Sequence, residues 1–508
     1  MERLARYLLL LIFCVSGCAV GPDYKRPVVD TPVNYRSAVT PAEQASFADL
    51  PWWDVFKDET LQRLIAEAME RNYDLRIAVT RIEQSRQIAA RARSQFFPQV
   101  DYNGAVSRGR NSSFGEPAST VTPETTVPVI GDDGRVTTRR IGAKANTTSS
   151  ALLDVTAFWE IDLWGRIRRL NEAALADLMA SEDVRRGVVI SLVSNVAQAY
   201  FELLEFDLQL EIAKKNTISR EETLKIFSQR LQGGAASRLE TASAEALVGT
   251  TAADIPELER QIVLKENQIN VLLGRKPGPI ERHSTLLDQS NPIEIPAGLP
   301  SALLERRPDI RQAEESLHAA NARVGVAKAN FFPQIGLTAL FGKVSSDLSA
   351  FTGGISNMWG AAATMSGPLF HGGSLTAEYR QAKAEWEEAR LVYEQTALNA
   401  FQEVSDALIS REKFETARVQ QARAVKAYEE AVEVSLKRYV AGKASYYEVL
   451  QNQQNLYPAE TTLALTRLNQ LLSVVQLYKA LGGGWQPEAG FQEVPKKSPV
   501  IKNVMHVE

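Results

Sequence analysis

Cysteine is nearly absent from this chain of 508 residues, which contains only Cys14 and Cys18. Cys14 lies within a short apolar run from 7 to 15 and Cys18 follows it, and the run is itself preceded by Arg3 and Arg6. The run is far below the roughly 20 residues that a membrane-spanning helix needs, so it has the form of a signal-peptide core. Because Cys14 would leave with the signal, the mature chain would keep one cysteine and form no internal disulfide.

Long apolar runs, clustered histidines and an excess of basic residues are also missing. No segment after the signal reads as a spanning apolar run, so we expect any membrane crossing to be made by β-strands. A net charge of −4 offers no basic surface for nucleic acid. The four histidines, which show no paired ligand spacing, are His283, His318, His371 and His506. We therefore expect no enzymatic activity, no metal and no nucleic-acid partner.

Proline and glycine are missing from two long stretches. Residues 166–232 contain no proline and a single glycine, Gly187, and residues 374–440 contain neither residue type. Each stretch predicts a helix of roughly 100 Å at 1.5 Å per residue. The first ends at Gly233-Gly234 and the second at Ala441-Gly442, and a second helical pattern follows each turn. The sequence therefore predicts two long helical hairpins.

The tips of these hairpins repeat each other with an offset of 208, since 442 − 234 = 208. The residues of the first tip that recur are Arg230, Gly234, Ala236, Ser237 and Glu240, and their counterparts are Arg438, Gly442, Ala444, Ser445 and Glu448. The chain is therefore predicted to be an internal duplication.

A second repeated signal lies upstream of each hairpin. Residues 95–100 read QFFPQV and residues 330–335 read NFFPQI, an offset of 332 − 97 = 235. Proline lacks a backbone donor and holds the preceding residue in the extended region. We therefore predict that Phe97-Pro98 and Phe332-Pro333 are junctions at which a helix becomes a strand.

Alternating strand patterns follow both junctions. The strand patterns cover 99–108, 153–162, 334–343 and 358–370, and the polar stretch 111–149 is predicted to be an extracellular loop. In the clearest strand, Leu153, Val155, Ala157, Trp159 and Ile161 share one face. Such alternation is typical of a membrane barrel, although a soluble sheet shows it too. Since four strands cannot close a barrel, chains in a membrane would have to pool their strands.

The signal ends in Val15-Ser16-Gly17-Cys18, which resembles the bacterial lipobox. In that motif the cysteine is acylated and becomes the new N-terminus. We predict a covalent lipid on Cys18 and no other cofactor, and the alternative is an ordinary signal peptide with a chance cysteine. Ala19, where an aspartate would favour retention in the inner membrane, indicates the outer membrane.

Several motifs together resemble one known family. They are GCAVGPDY at 17–24, WEIDLWGR at 159–166, LERRPDIR at 304–311 and both FFPQ segments. With the duplicated hairpins they span nearly the whole chain. The chain resembles the TolC-like outer-membrane efflux channels, in the lipoprotein subgroup (OprM/NodT type) that serves resistance-nodulation-division (RND) pumps.

The resemblance implies a mixed α and β membrane fold. It implies a homotrimer with a twelve-stranded β-barrel (four strands per chain), a long periplasmic α-helical barrel and a small equatorial α/β belt. The chain would divide into a signal peptide (1–17), a lipidated tail with equatorial contacts (18–60), a first repeat (61–274), an equatorial linker (275–304), a second repeat (305–482) and a C-terminal equatorial tail (483–508).

The resemblance also implies functional residues at the hairpin tips. Those expected to contact a periplasmic membrane-fusion adaptor are Gly233, Gly234, Ala235, Ala236, Ser237, Gly442, Lys443, Ala444 and Ser445, unless the glycines serve only the turns. Glu240 and Glu448 are predicted to line the periplasmic aperture, or else to lie on a solvated helix face. Residues 451–453 (QNQ) depart from the family, in which Asp-Ala-Gln is common.

These features together predict a passive duct in the outer membrane that is lipid-anchored and extends into the periplasm. It would release drugs or other small toxic compounds that an inner-membrane RND pump delivers through the adaptor. One alternative is an outer-membrane duct for protein secretion. Another, of a different class, is a periplasmic coiled-coil scaffold without a pore.

Overall fold

A computed structural model of the protein describes residues 19–36, 46–110, 126–130, 136–140, 147–289, 298–345 and 357–484. Cys18 lies outside these residues. The chain forms two compact units. One unit combines the N-terminal segment as far as Tyr24 with Ile88–Ala174 and Ala320–Ala384, and the other combines Lys25–Gln87, Leu175–Ala319 and the chain from Glu385 onward.

The described residues are mostly helical. After a short 3-10 helix at Phe47–Asp49, the α-helices are α1 (Trp52–Val55), α2 (Glu59–Arg71), α3 (Tyr73–Ser94), α4 (Arg166–Gln232), α5 (Arg238–Leu272), α6 (Pro300–Arg306), α7 (Pro308–Ala329), α8 (Ser374–Val440) and α9 (Tyr446–Ala480). The strands are β1 (Gln99–Arg110), β2 (Thr126–Ile130), β3 (Val136–Arg140), β4 (Thr147–Ile161), β5 (Gln334–Ser345) and β6 (Asn357–Ser366).

The predicted duplication is confirmed element by element. Helices α3 and α7 have 22 residues each and strands β1 and β5 have 12 each, with an offset of 308 − 73 = 235. Helices α4 and α8 have 67 residues each, and α5 and α9 have 35 each, with an offset of 374 − 166 = 208. Between the first strand of each half and its long helix the offset falls by 235 − 208 = 27. The helices that precede α3 and α7 also differ, with 13 residues in α2 and 7 in α6.

Four strands form one antiparallel sheet in the order β1-β4-β5-β6. Its register aligns Tyr102, Val155, Phe341 and Trp359 in one row across all four strands. These side chains are 82%, 46%, 68% and 81% exposed, respectively. The opposite face carries polar groups such as Asp154, whose carboxylate accepts a hydrogen bond from the Asn103 amide at 3.3 Å. The predicted alternation is therefore confirmed, with an exposed apolar face.

Two strand predictions need correction. The stretch 111–149 is not a continuous loop, because it contains the paired strands β2 and β3 and the start of β4. Strand β6 ends at Ser366 and not at Phe370, because Gly367 and Pro368 follow and proline cannot donate to the ladder.

The helical segment ahead of the first junction consists of two helices, α2 and α3, that meet at Asn72. Asn72 is extended, with ψ 132°, and its side-chain oxygen accepts a hydrogen bond from the backbone of Leu75 at 3.0 Å, as an N-cap does. Its amide donates to the carbonyl of Leu272 at the end of α5, at 2.9 Å. In the second half Arg307, the counterpart of Asn72, donates to the carbonyl of Ala480 at the end of α9, at 3.0 Å.

The expectation that no segment after the signal is apolar enough to span a membrane is wrong for one helix. Helix α4 contains an 18-residue window that is apolar and long enough to cross a membrane. However, 67% of that window is buried inside the fold, as in the core helix of a soluble domain. Burial against other helices therefore accounts for its composition.

Candidate functional site at the hairpin tips

Both tips close with the same backbone turn. Gly234 and Gly442 have φ of 74° and 71°, a conformation that glycine adopts without steric cost. In the first tip the amide of Ala235 donates to the carbonyl of Arg230 at 2.8 Å. In the second, the amide of Lys443 donates to the carbonyl of Arg438, also at 2.8 Å. The repeated glycines therefore have a conformational role at the turns.

Glu240 and Glu448 each lie in the first turn of a return helix. The Ser237 amide donates to the Glu240 carboxylate at 3.3 Å, while the Glu240 amide donates to the Ser237 hydroxyl at 3.4 Å. This is a capping box, which satisfies free donors at the start of α5. In the second tip the Ser445 amide donates to the Glu448 carboxylate at 3.4 Å. Both carboxylates therefore stabilise helix starts.

Tyr439, near the end of α8, joins the two hairpins. Its hydroxyl donates to the Glu240 carboxylate at 2.8 Å, and its ring packs on Phe227 with centroids 4.7 Å apart. The Arg230 guanidinium lies 4.6 Å from the centroid of the same ring and donates to the Tyr439 carbonyl at 3.1 Å. Tyr439 is only 5% exposed and forms a small core with Phe227, Ala244 and Val449.

The environment of Tyr439 keeps its phenol protonated. Burial raises the pKa of Tyr439 to about 12, the hydrogen bond and charge of Glu240 act in the same direction, and Arg230 opposes them. The phenol is therefore the donor in the hydrogen bond with Glu240. Sequence reasoning missed Tyr439, although its counterpart Leu231 (439 − 208 = 231) marks it as a point where the tips differ.

A buried polar cluster lies between the hairpins. The Arg220 guanidinium, in α4, donates to the carbonyls of Leu247 in α5 and Gln453 in α9, at 3.0 and 2.9 Å. The Gln453 amide donates to the Thr223 hydroxyl at 2.7 Å. Gln453 is the residue of the 451–453 segment that agrees with the family pattern, and it is 3% exposed. A side chain there connects helices and does not face solvent.

The two junctions are each held by a tryptophan. The structure places Phe97-Pro98 between α3 and β1, and Phe332-Pro333 between α7 and β5. The indole of Trp159 donates to the Phe96 carbonyl at 3.0 Å, and that of Trp164 donates to the Pro333 carbonyl at 2.8 Å. Trp164 also stacks on Phe332 with centroids 4.6 Å apart. One motif, WEIDLWGR, therefore binds both repeated segments.

Each half of the chain contributes two strands and one long helical hairpin, so that the chain has one four-stranded sheet and two hairpins. This arrangement is the architecture of TolC-like channels. The Neisseria gonorrhoeae MtrE outer membrane channel, solved in its open state, matches this fold with a TM-score of 0.79 and 30% sequence identity. The match covers 93% of this chain and 100% of that chain.

Sequence comparison agrees with the fold. The family model described as "Outer membrane efflux protein" matches residues 64–275 and 299–483. A probable efflux pump outer membrane protein of Pseudomonas putida, TtgC, is 34% identical over 95% of this chain and 96% of its own length. The cation efflux system protein CusC of Escherichia coli is 31% identical over 94% of this chain and 99% of its own length. The chain belongs to the outer membrane efflux protein family, and it is an outer-membrane channel of an efflux pump.

Proposed function

We propose that three copies of the chain close their sheets into one twelve-stranded barrel. This trimer would be the lipid-anchored, passive outer-membrane duct of a tripartite efflux system. The observation that carries the proposal is the exposed apolar row Tyr102, Val155, Phe341 and Trp359 on a sheet with two open edges. Among the described residues, no strand pairs with the outer edge of β1 or of β6.

An open edge cannot remain in a bilayer, because each unpaired backbone group in hydrocarbon costs several kcal/mol. Pairing β6 of one copy with β1 of the next would satisfy both edges and continue the antiparallel order. The apolar row would then face lipid, and the polar face with Asp154 would face the lumen.

The duplication supports the same closure among the helices. Within one chain, Arg311 of α7 lies 3.6 Å from the buried carboxylate of Asp183 in α4. The counterparts of these positions are Arg76 in α3 (311 − 235) and Leu391 in α8 (183 + 208), both exposed. Similarly, Ile190 of α4 is 5% exposed while its counterpart Leu398 is 63% exposed. A neighbouring copy whose α3 packed on α8 would cover these side chains.

Paired cysteines test the closure. The only native cysteines are Cys14 and Cys18, so engineered pairs report cleanly. A cysteine at Asp101 in β1 is combined with single cysteines at each residue from Ala361 to Met365 in β6. At least one combination is expected to give, on oxidation, a reducible band series that stops at three chains. Cysteines at Arg76 and Leu391 should give the same series. The matched control pairs Arg76 with Ala382, which is buried within its own chain. A series that continues beyond three chains, or none in either set, contradicts the trimer.

Membership of the family supports a proposal about partners and cargo. We propose that the tip residues Gly233 to Ser237 and Gly442 to Ser445 contact a periplasmic membrane-fusion adaptor, and that Glu240 and Glu448 line the aperture. An inner-membrane RND pump would supply the energy and the cargo. Relatives named for efflux of toluene and of cations favour small compounds over secreted proteins. A strain lacking the gene should become more susceptible to such compounds while secreting proteins normally, and the duct itself should catalyse no reaction.

A further inference from the structure

The residues directly after Cys18 lie against the start of α4 and the side of α7. The backbone amide of Val20 donates to the carbonyl of Trp164 at 3.0 Å. The side-chain amide of Asn321, in α7, donates to the carbonyl of Pro22, also at 3.0 Å. The segment Ala19–Asp23, which we call the strap, is therefore bound through its backbone at two points.

Glycines allow the strap to lie flush on this surface. Gly21 has φ 117°, and a Cβ added there would lie 2.6 Å from the Cα of Gly325 in α7. Gly165 has φ 80°, and a Cβ added there would lie 2.6 Å from the Cβ of Ala19. Real Cβ atoms do not approach other carbons so closely, because protein interiors are already at close-packed density. A side chain at either position would lift the strap away.

An ion pair holds the end of the strap. The guanidinium of Arg169, 6% exposed, lies 2.7 Å from the Asp23 carboxylate and 2.9 Å from that of Glu172. The Asp23 side chain itself is 88% exposed. The guanidinium of Arg169 thus pairs with Glu172 of its own helix and with Asp23 of the strap. Charge-assisted hydrogen bonds of this kind are among the stronger ones in proteins.

The positions related to Arg169 and Gly325 by the duplication lack these features. The counterparts of Arg169 and Gly325 are Ala377 (169 + 208) and Ala90 (325 − 235), and both are exposed. Neither position provides the cation or the glycine that the strap uses. The binding surface is therefore specific to the start of α4 and to α7, and it is not a general property of the repeated fold.

We propose that the strap is a docking peptide that fastens the lipid-bearing end of the chain to the corner between β4 and α4. This inference rests on the proposed lipidation of Cys18. The corner is rigid, because Trp164 stacks on Phe332 and the Asp162 carboxylate accepts from the first amides of α4, Ile167 and Arg168, at 3.0 and 2.8 Å. The lipid would thus be tied to the end of the sheet and not to a free tether.

Hydrogen exchange of the full-length, detergent-solubilised protein tests the docking. The Val20 amide should be protected in the wild type. Gly21→Ala, which lies in the strap and leaves the helices and sheet intact, should accelerate its exchange at least about tenfold. Asp23→Asn should accelerate it less. The matched control is Lys25→Ala, two residues beyond the strap, whose side chain is exposed; in this variant Val20 should exchange at the wild-type rate.

Two outcomes are informative in different ways. If Val20 exchanges as slowly in Gly21→Ala as in the wild type, the docking inference is wrong. Labelling with palmitate is measured in parallel on the wild type and on Cys18→Ala. If the wild type takes up no palmitate, or if Cys18→Ala is still labelled, the proposed lipidation and the fastening role are wrong. The exchange result decides separately whether the strap docks.

Discussion

At the scale of single residues, Tyr439 decides how the two tips are joined. Tyr439→Phe removes the hydroxyl that donates to Glu240 but keeps the ring that packs on Phe227 and under Arg230. A hydrogen bond to a charged group contributes about 1.5–3 kcal/mol. We expect hydrogen exchange in the first turn of α5 to accelerate at least about tenfold. The control is Tyr447→Phe, because Tyr447 is 63% exposed and should behave as the wild type.

The same contact should weaken at alkaline pH. Since the pKa of Tyr439 is raised to about 12 from 10.0, the fold prefers the neutral phenol. Its contribution to stability is fully present below pH 10 and is lost as the pH rises towards 12. Exchange at the tips, corrected for the intrinsic pH dependence of exchange, should therefore rise over this range. Tyr439→Phe should remove this component of the pH dependence, and an unchanged profile would contradict the assignment.

Substitutions of the two junction tryptophans test the hydrogen bonds that hold the junctions. Trp159→Phe and Trp164→Phe each keep a ring and lose an indole donor, to Phe96 and to Pro333 respectively. Each loss should destabilise the protein by about 1 kcal/mol, and thermal unfolding in detergent would show it. Trp359→Phe, in which the ring is 81% exposed, is the control and should leave the transition unchanged. Equal effects of all three would contradict a specific role for the junction tryptophans.

At the scale of elements, the side chain of Asn72 has two functions where α2 meets α3: it caps α3 and it donates to the end of α5. Asn72→Ala loses both the cap of α3 and the donor to the Leu272 carbonyl, whereas Asn72→Ser keeps a capping oxygen for the Leu75 amide and loses the donor to Leu272. Removing a cap costs about 1 kcal/mol. We expect Asn72→Ala to lower the melting temperature more than Asn72→Ser. Equal effects would show that the cap contributes nothing.

Much of this element plan could be predicted from the sequence, because long helices without proline, repeated tips and alternating strands leave clear periodic patterns. The break at Asn72 could not, since the apolar spacing continues through it and the competing signal is a hydrogen bond to Leu272, 200 residues away. Strands β2 and β3 have only five residues each, and β2 contains Pro128, so their pairing and not a sequence pattern defines them. At the tips, the repeat located Glu240 but not its partner Tyr439, because that contact crosses between hairpins.

At the scale of the whole molecule, the exposed apolar row makes a prediction about insertion in the membrane. Phe341→Arg places a charge in that row, and a charge on the lipid face near the midplane costs about 2–4 kcal/mol. We expect a large loss of assembled protein in outer-membrane fractions. Thr338→Arg, on the opposite face of the same strand, is the matched control and should assemble. If both variants assemble equally, the apolar face is not the lipid face.

The two halves of the chain keep the helix pairs α3/α7, α4/α8 and α5/α9 at equal lengths, yet the segment from the end of the first strand to the long helix differs by 27 residues, since 235 − 208 = 27. An insertion or deletion in a long helix would shift one tip relative to the other. The connections between strands differ in length: that between β5 and β6 has 356 − 345 = 11 residues, and that between β1 and β4 has 146 − 110 = 36. Most of the difference, 36 − 11 = 25 residues, therefore lies in the connection between the two strands of each half. A foreign peptide inserted in the β5–β6 connection should not prevent assembly. Binding of an antibody against that peptide to intact cells would show it. The protein could then serve as a carrier for surface display.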